Sequence, residues 1–234
     1  MSRLSSLPAP TRSAGIRHHL GHLPPCRVAN DDMVTLLRRI HERGPGQSSR
    51  VIEVVSANHG EGVSSVVRGL ARVASQHVGL RVLICDVSPD QSAIDDLKPE
   101  DDPVTLAEIS AVGGDLTRAI YWIHETDIAI CALSNEGAGA KMSVDIELSH
   151  NLISALRSSF DLILLDAPPI SASPMGHSIA KAADGVVLVM ASESTRLHSA
   201  AAARAQIEAA EGRILGVVFN KRRLHIPRSL YRLF

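Results

Sequence analysis

Gly60, Glu61, Gly62, Val63, Ser64 and Ser65 place two glycines, a carboxylate and two hydroxyls within six residues. A β-branched apolar run, 51 to 55, precedes them after the turn-rich Ala57-Asn58-His59, and Val66, Val67, Leu70, Val73 and Ala74 follow at helical spacing. Strand, glycine loop and helix in that order make a phosphate cradle. The glycines let successive backbone N–H groups point into one concavity, and the helix start adds its positive end. The general pattern is G-x-x-x-x-G-K-[ST], with a lysine for the β- and γ-phosphates and a hydroxyl for magnesium. The window from Ala57 to Ser64 keeps the last glycine as Gly62 and the hydroxyl as Ser64, but Val63 stands at the lysine position.

Three more polar residues sit where apolar runs stop: Asp86 after 81 to 85, Asp166 after 162 to 165, and Asn220 after 214 to 219. Each run reads as a short buried strand, joined by 186 to 190, and helical patterns at 31 to 42, 66 to 74, 105 to 109, 144 to 156 and 195 to 211 lie between them. Residues 127 to 133 add one more short strand. Buried strands alternating with helices imply right-handed βαβ units. The expected fold is therefore α/β, a doubly wound, mostly parallel sheet flanked by helices, with ligands at the carboxyl ends of the strands. That edge would collect the glycine loop, Asp86, Asp166 and Asn220. Turn capping by the two aspartates is the competing reading.

The 234 residues, 45% of them apolar, suffice for one full core. We expect a flexible N-terminal tail over 1–30, a single domain over 31–220 and a basic tail over 221–234. A formal net charge of −1 provides no broad basic field for nucleic acid. Cys26, Cys85 and Cys131 are far apart, which fits ordinary thiols in a reducing compartment and neither a disulfide framework nor a zinc site. His18, His19 and His22 lack partners at ligand spacing. In the last fourteen residues Lys221, Arg222, Arg223, Arg228 and Arg232 alternate with Leu224, Ile226, Leu230 and Phe234. That pattern reads either as a solvated end or as a contact for anionic lipid or a membrane protein.

The run SANHGEGVSSVVRGLARVAS resembles the loop and first helix of the bacterial tyrosine kinases (BY-kinases) of exopolysaccharide synthesis, P-loop proteins close to the partition and division-site ATPases. RVLICDVSPD is similar to that family's second aspartate motif, FDLILLDAPPI to its third, and ILGVVFNKRR to its final strand. The resemblance implies a P-loop NTPase-like fold and an ATP or ADP site with Mg2+. Asn58, Gly60, Glu61, Gly62, Val63, Ser64 and Ser65 would surround the phosphates, and Asn220 would help to hold adenine. Asp86 and Asp166 would be the catalytic acids, and with Ser64 the magnesium ligands. It further implies a membrane-anchored polysaccharide co-polymerase or export protein as partner, a homo-oligomer as an open option, and a cytoplasmic place at the inner face of the bacterial membrane.

The departures are as informative as the matches. Besides Val63, the second acid of the D-x-D motif is Ser88, the C-terminal tyrosine cluster shrinks to Tyr231, and the ring motif E-x-x-R-x-x-R becomes Asp32, Thr35 and Arg38. Charge, metal and substrate elements are eroded together. The expected function is thus a tyrosine-kinase-like protein of exopolysaccharide assembly that is catalytically impaired, with nucleotide binding weakened or lost. The alternatives are an active ATP-dependent tyrosine autokinase with Arg68, Arg72 or a partner residue replacing the lysine, and a partition-type ATPase.

Overall fold

The computed structural model describes residues 19–20, 23, 30–42, 49–87, 104–134, 146–172, 179–181 and 183–222. Its strands are β1 (His19–Leu20), β2 (Arg50–Ser56), β3 (Val82–Asp86), β4 (Tyr121–Ile123), β5 (Ile128–Ala132), β6 (Leu162–Asp166), β7 (Gly185–Ala191) and β8 (Ile214–Asn220). The helices are α1 (Asn30–Glu42), α2 (Val63–Val73), α3 (Leu106–Ala111), α4 (Ile146–Leu156) and α5 (Leu197–Ala209). One sheet contains all eight strands in the order β1-β4-β5-β3-β6-β2-β7-β8. Every pairing among the described residues is parallel except β4 with β5. The expected doubly wound, mostly parallel sheet is the observed one.

Alternation along the strands sends side chains to two apolar layers. On one face Ile52, Val54, Ile84 and Leu164 pack with Met33, Leu37 and Ile40 of α1 and with Val66, Val67 and Leu70 of α2. On the other, Val51, Val55, Leu83, Leu165 and Val186 pack with Leu106, Leu152, Leu156, Ala203 and Ile207. Burial on both faces explains why the central strands read as unbroken apolar runs. The amino ends are locked by charge. Arg81 grips Asp161 through Nη2 to Oδ1 at 3.0 Å and Nε to Oδ2 at 3.2 Å, and the Arg81 amide donates to Oδ2 at 2.8 Å. Arg157 holds Asp184 at 2.8 and 3.0 Å, and Asp184 also accepts the Val51 amide at 2.7 Å.

The element limits refine the expectations. The helix expected over 195 to 211 starts at Leu197, because Thr195 turns its hydroxyl to the Ala191 amide (2.9 Å) and stays outside. The helix expected from 105 is capped by Thr105, whose hydroxyl accepts the Glu108 amide while Glu108 accepts the Thr105 amide. Two strands went unforeseen, β1 and β4, with two and three residues. Neither is long enough to show a period. Within the stretch expected to be a tail, β1 pairs with β4, and Leu23 is buried with its carbonyl accepting from Arg72 Nη2 at 3.1 Å. Ser88 and Tyr231 lie outside the described residues.

Candidate functional site

β2 ends at Ser56 and the chain turns through residues 57 to 62 before α2 begins. The turn needs glycine twice, with φ of 73° at Gly60 and 94° at Gly62, a backbone region that side-chain-bearing residues avoid. Gly62 is the N-cap of α2 and, lacking a side chain, makes no cap hydrogen bond of its own, which leaves the helix start facing the loop as the arrangement an anion occupies. Space above Gly60 is open, since an added Cβ would meet nothing within 4 Å.

Glu61 points the other way. Its carboxylate is 4% exposed and turns beneath the loop, where Oε2 accepts the amides of Ala57 (3.0 Å) and Asn58 (3.1 Å). Oε1 accepts Asn58 Nδ2 at 2.9 Å and the hydroxyl of Thr195. Glu61 and Asn58 therefore brace the loop. Asn220, at the end of β8, donates Nδ2 to the Glu61 carbonyl at 2.9 Å, and a Cβ on Gly62 would overlap that same amide. Val63 is 8% exposed and belongs to the core beneath α1 and α2. Its isopropyl group continues the apolar stripe of α2, where a lysine would have to leave the core to reach a phosphate.

Asp86 and Asp166 are register partners on the adjacent strands β3 and β6, and both are buried. Partners in a parallel pair point to one side. Here it is the side of Ile84 and Leu164, which α2 covers. The two carboxylates thus stand on the face that carries Ser64 and Ser65 in the first turn of α2. Among the described residues no group of three or more His, Cys, Asp or Glu could hold a metal without further ligands. Two carboxylates and a hydroxyl suit an ion that completes its shell with water and phosphate oxygens, as magnesium does.

No family model matches the chain. Tyrosine-protein kinase YwqD of Bacillus subtilis (strain 168) is 21% identical over 208 residues, spanning 89% of this chain and 87% of that protein. The chain is similar to the bacterial tyrosine kinases. The kinase domain of Escherichia coli tyrosine kinase ETK has the same fold, superposing with a TM-score of 0.69 at 16% identity and covering 92% of this chain and 88% of that domain. The septum site-determining protein MinD of Pyrococcus horikoshii OT3, solved with Mg-ADP, shares this fold. Its TM-score is 0.60 at 21% identity, covering 80% of this chain and 77% of that one.

Of the family positions expected at the site, the sheet gathers the loop, Asp86, Asp166 and Asn220 at one edge. Arg72 is turned to Leu23, away from that edge. Two residues that the sequence reading passed over belong to the same edge. Thr195 ties the β7–α5 turn to Glu61, and Lys221 follows Asn220 with a φ of 55°. A threonine just before a helical pattern is a capping signal that could have flagged the first. The second carries no sequence signal, because lysine is not a residue from which a left-handed conformation is read.

Proposed function

We propose that this protein is a nucleotide-binding, catalytically impaired member of the bacterial tyrosine-kinase family that acts through a membrane-anchored polysaccharide co-polymerase or export protein. One observation carries the reading: the loop keeps a backbone cradle at a helix start N-capped by glycine while the side chain at its lysine position is packed into the core. Backbone amides bind phosphate oxygens without a lysine, so affinity survives in weakened form. Phosphoryl transfer depends on cations placed where charge develops, so loss of the lysine costs turnover more than binding.

In this reading ATP or ADP sits over residues 60 to 65, with Asn220, expected to help hold adenine, instead bracing the glycine loop through the Glu61 carbonyl. Ser64, Asp86 and Asp166 would hold magnesium, and such an ion would supply charge neutralisation to the phosphates. From the sheet side Asp86 and Asp166 would also orient a hydroxyl acceptor. The Mg-ADP complex of MinD supports this assignment through the shared fold. The exopolysaccharide setting and the membrane partner rest on the family resemblance and on the alternating basic and apolar residues after Asn220. Among the described residues no helix is long and apolar enough to cross a membrane.

The test is a titration of purified protein with ATP and ADP, with and without magnesium, beside a phosphotyrosine assay with and without the membrane partner. Measurable binding with near-background phosphorylation is expected. Robust tyrosine phosphorylation that disappears in Asp166→Ala would replace this reading with an active autokinase. Deleting residues 221–234 should release the protein from its partner while the fold survives, and undiminished co-purification would refute that contact.

A further inference from the structure

The loop lacks its own lysine, yet another lysine reaches it from the far end of the chain. β8 delivers Asn220, whose carbonyl accepts the Ser192 amide at 2.9 Å and the Ser192 hydroxyl at 3.1 Å, and whose side-chain amide donates to the Glu61 carbonyl. Asn220 is thereby pinned on both sides. The next residue, Lys221, takes a φ of 55°, a strained setting for a side-chain-bearing residue that the surrounding contacts must enforce. This turn ends the strand and brings the exposed Lys221 side chain back over the loop. A Cβ built on Gly62 would lie 4.0 Å from Lys221 Cε, with the ammonium one bond further on.

We propose that Lys221 supplies to the phosphates of a bound nucleotide the cation that Val63 does not. The proposal rests on the nucleotide-binding reading above and assigns the compensating charge to a different strand. The other two basic candidates are worse placed. Arg72 donates to the Leu23 carbonyl, and Arg68 starts about 7.5 Å along the helix axis from Val63. A lysine arriving across Gly62 approaches the concavity from its rim, where it can attract phosphate without crossing the apolar core that holds Val63.

The experiment measures dissociation constants for ATP with magnesium, and for adenosine, in the full-length protein and three variants. Lys221→Asn removes the charge while keeping a residue that tolerates the left-handed backbone. Lys221→Arg keeps the charge. Lys181→Asn makes the same charge change at an exposed lysine paired with Glu211 (3.2 Å), just before β7 at the opposite edge of the sheet. Lys221→Asn is expected to weaken ATP about 10-fold to 100-fold, the worth of one charge-assisted contact, and to leave adenosine unchanged. Lys221→Arg and Lys181→Asn should bind ATP like the parent. Equal ATP affinity in Lys221→Asn and the parent would overturn the role of Lys221 and leave the nucleotide reading intact. So would an equal loss for ATP and adenosine, which would mean that Lys221 shapes the loop without touching phosphate. A parent that binds no ATP would instead remove the nucleotide reading and this proposal together.

Discussion

Replacing Glu53 should stabilise the protein, by an amount that grows with pH. Glu53 lies in the middle of β2 with no exposed surface, on the layer of Val51 and Val55, and its register neighbours are Leu165 and Val186. Neither carboxylate oxygen has a hydrogen-bond partner among the described residues. Burial alone pushes its pKa from 4.5 to about 8, so the folded protein holds it protonated at neutral pH. Since the folded value lies above the unfolded one, the group is harmless below pH 4.5. It then weakens the fold progressively as pH rises to about 8. At about 1.36 kcal/mol per pH unit, the cost is roughly 3 kcal/mol at pH 7 and under about 1 kcal/mol at pH 5. Glu53→Gln removes the titration and keeps the shape, while Glu53→Met also removes the buried polar group. Urea denaturation of all three proteins at pH 5 and pH 7 decides the matter. The gap between parent and Glu53→Gln should widen by about 2 kcal/mol at the higher pH. A gap of the same size at both pH values would refute the reasoning, because other titrating groups cancel in that comparison.

Val63→Lys should tighten ATP binding about 10-fold to 100-fold, measured by calorimetry, in the Lys221→Asn background, where neither position supplies a cation to the phosphate cradle. Combined with Ser88→Asp it should raise phosphorylation of Tyr231, read by anti-phosphotyrosine blotting, by more than the product of the two single effects, since both groups serve one transition state. Gly62→Ala should abolish nucleotide binding and destabilise the fold by about 1 to 2 kcal/mol in a thermal melt, because the methyl needs a positive φ and the space of the Asn220 amide. Asp161→Asn should cost up to about 1 kcal/mol at pH 7, discounted because both partners are partly exposed. At Asp161 burial pushes the carboxyl up, but hydrogen bonds from the Arg81 side chain and amide outweigh it and hold the pKa below 3.8. Stability from this pair is therefore present above that pH and lost below it, so the parent and variant denaturation curves should converge on acidification.

The central layout was legible because strands buried on both faces leave apolar runs with a polar residue at each end, as in 162 to 166. Adjacency was not legible. That Asp86 faces Asp166 follows from β3 lying beside β6, a neighbour relation set by tertiary packing and absent from any local pattern. Glu61 was expected among the nucleotide contacts, yet the loop's own amides draw it inward, a competition between internal and external acceptors that composition does not decide. Lys221 was counted only among the charges of a basic tail, because its place depends on one left-handed backbone angle. Glu53 passed unnoticed for the opposite reason: the four β-branched apolar residues that flank it, Val51, Ile52, Val54 and Val55, make the strand reading secure whatever the fifth one is.

The strand that carries the glycine loop is encoded early but paired late. β2 is flanked by β6 and β7, and the amide of Val51 is held by Asp184, 133 positions further along the chain. Loops of that length close slowly, and the partners must first be synthesised. A nascent chain that has emerged only as far as β5 holds β2 with neither neighbour, an apolar ribbon with two open edges. During synthesis the phosphate cradle is consequently among the last features to become rigid, and the exposed ribbon is the segment most in need of chaperone protection until the second half of the chain arrives.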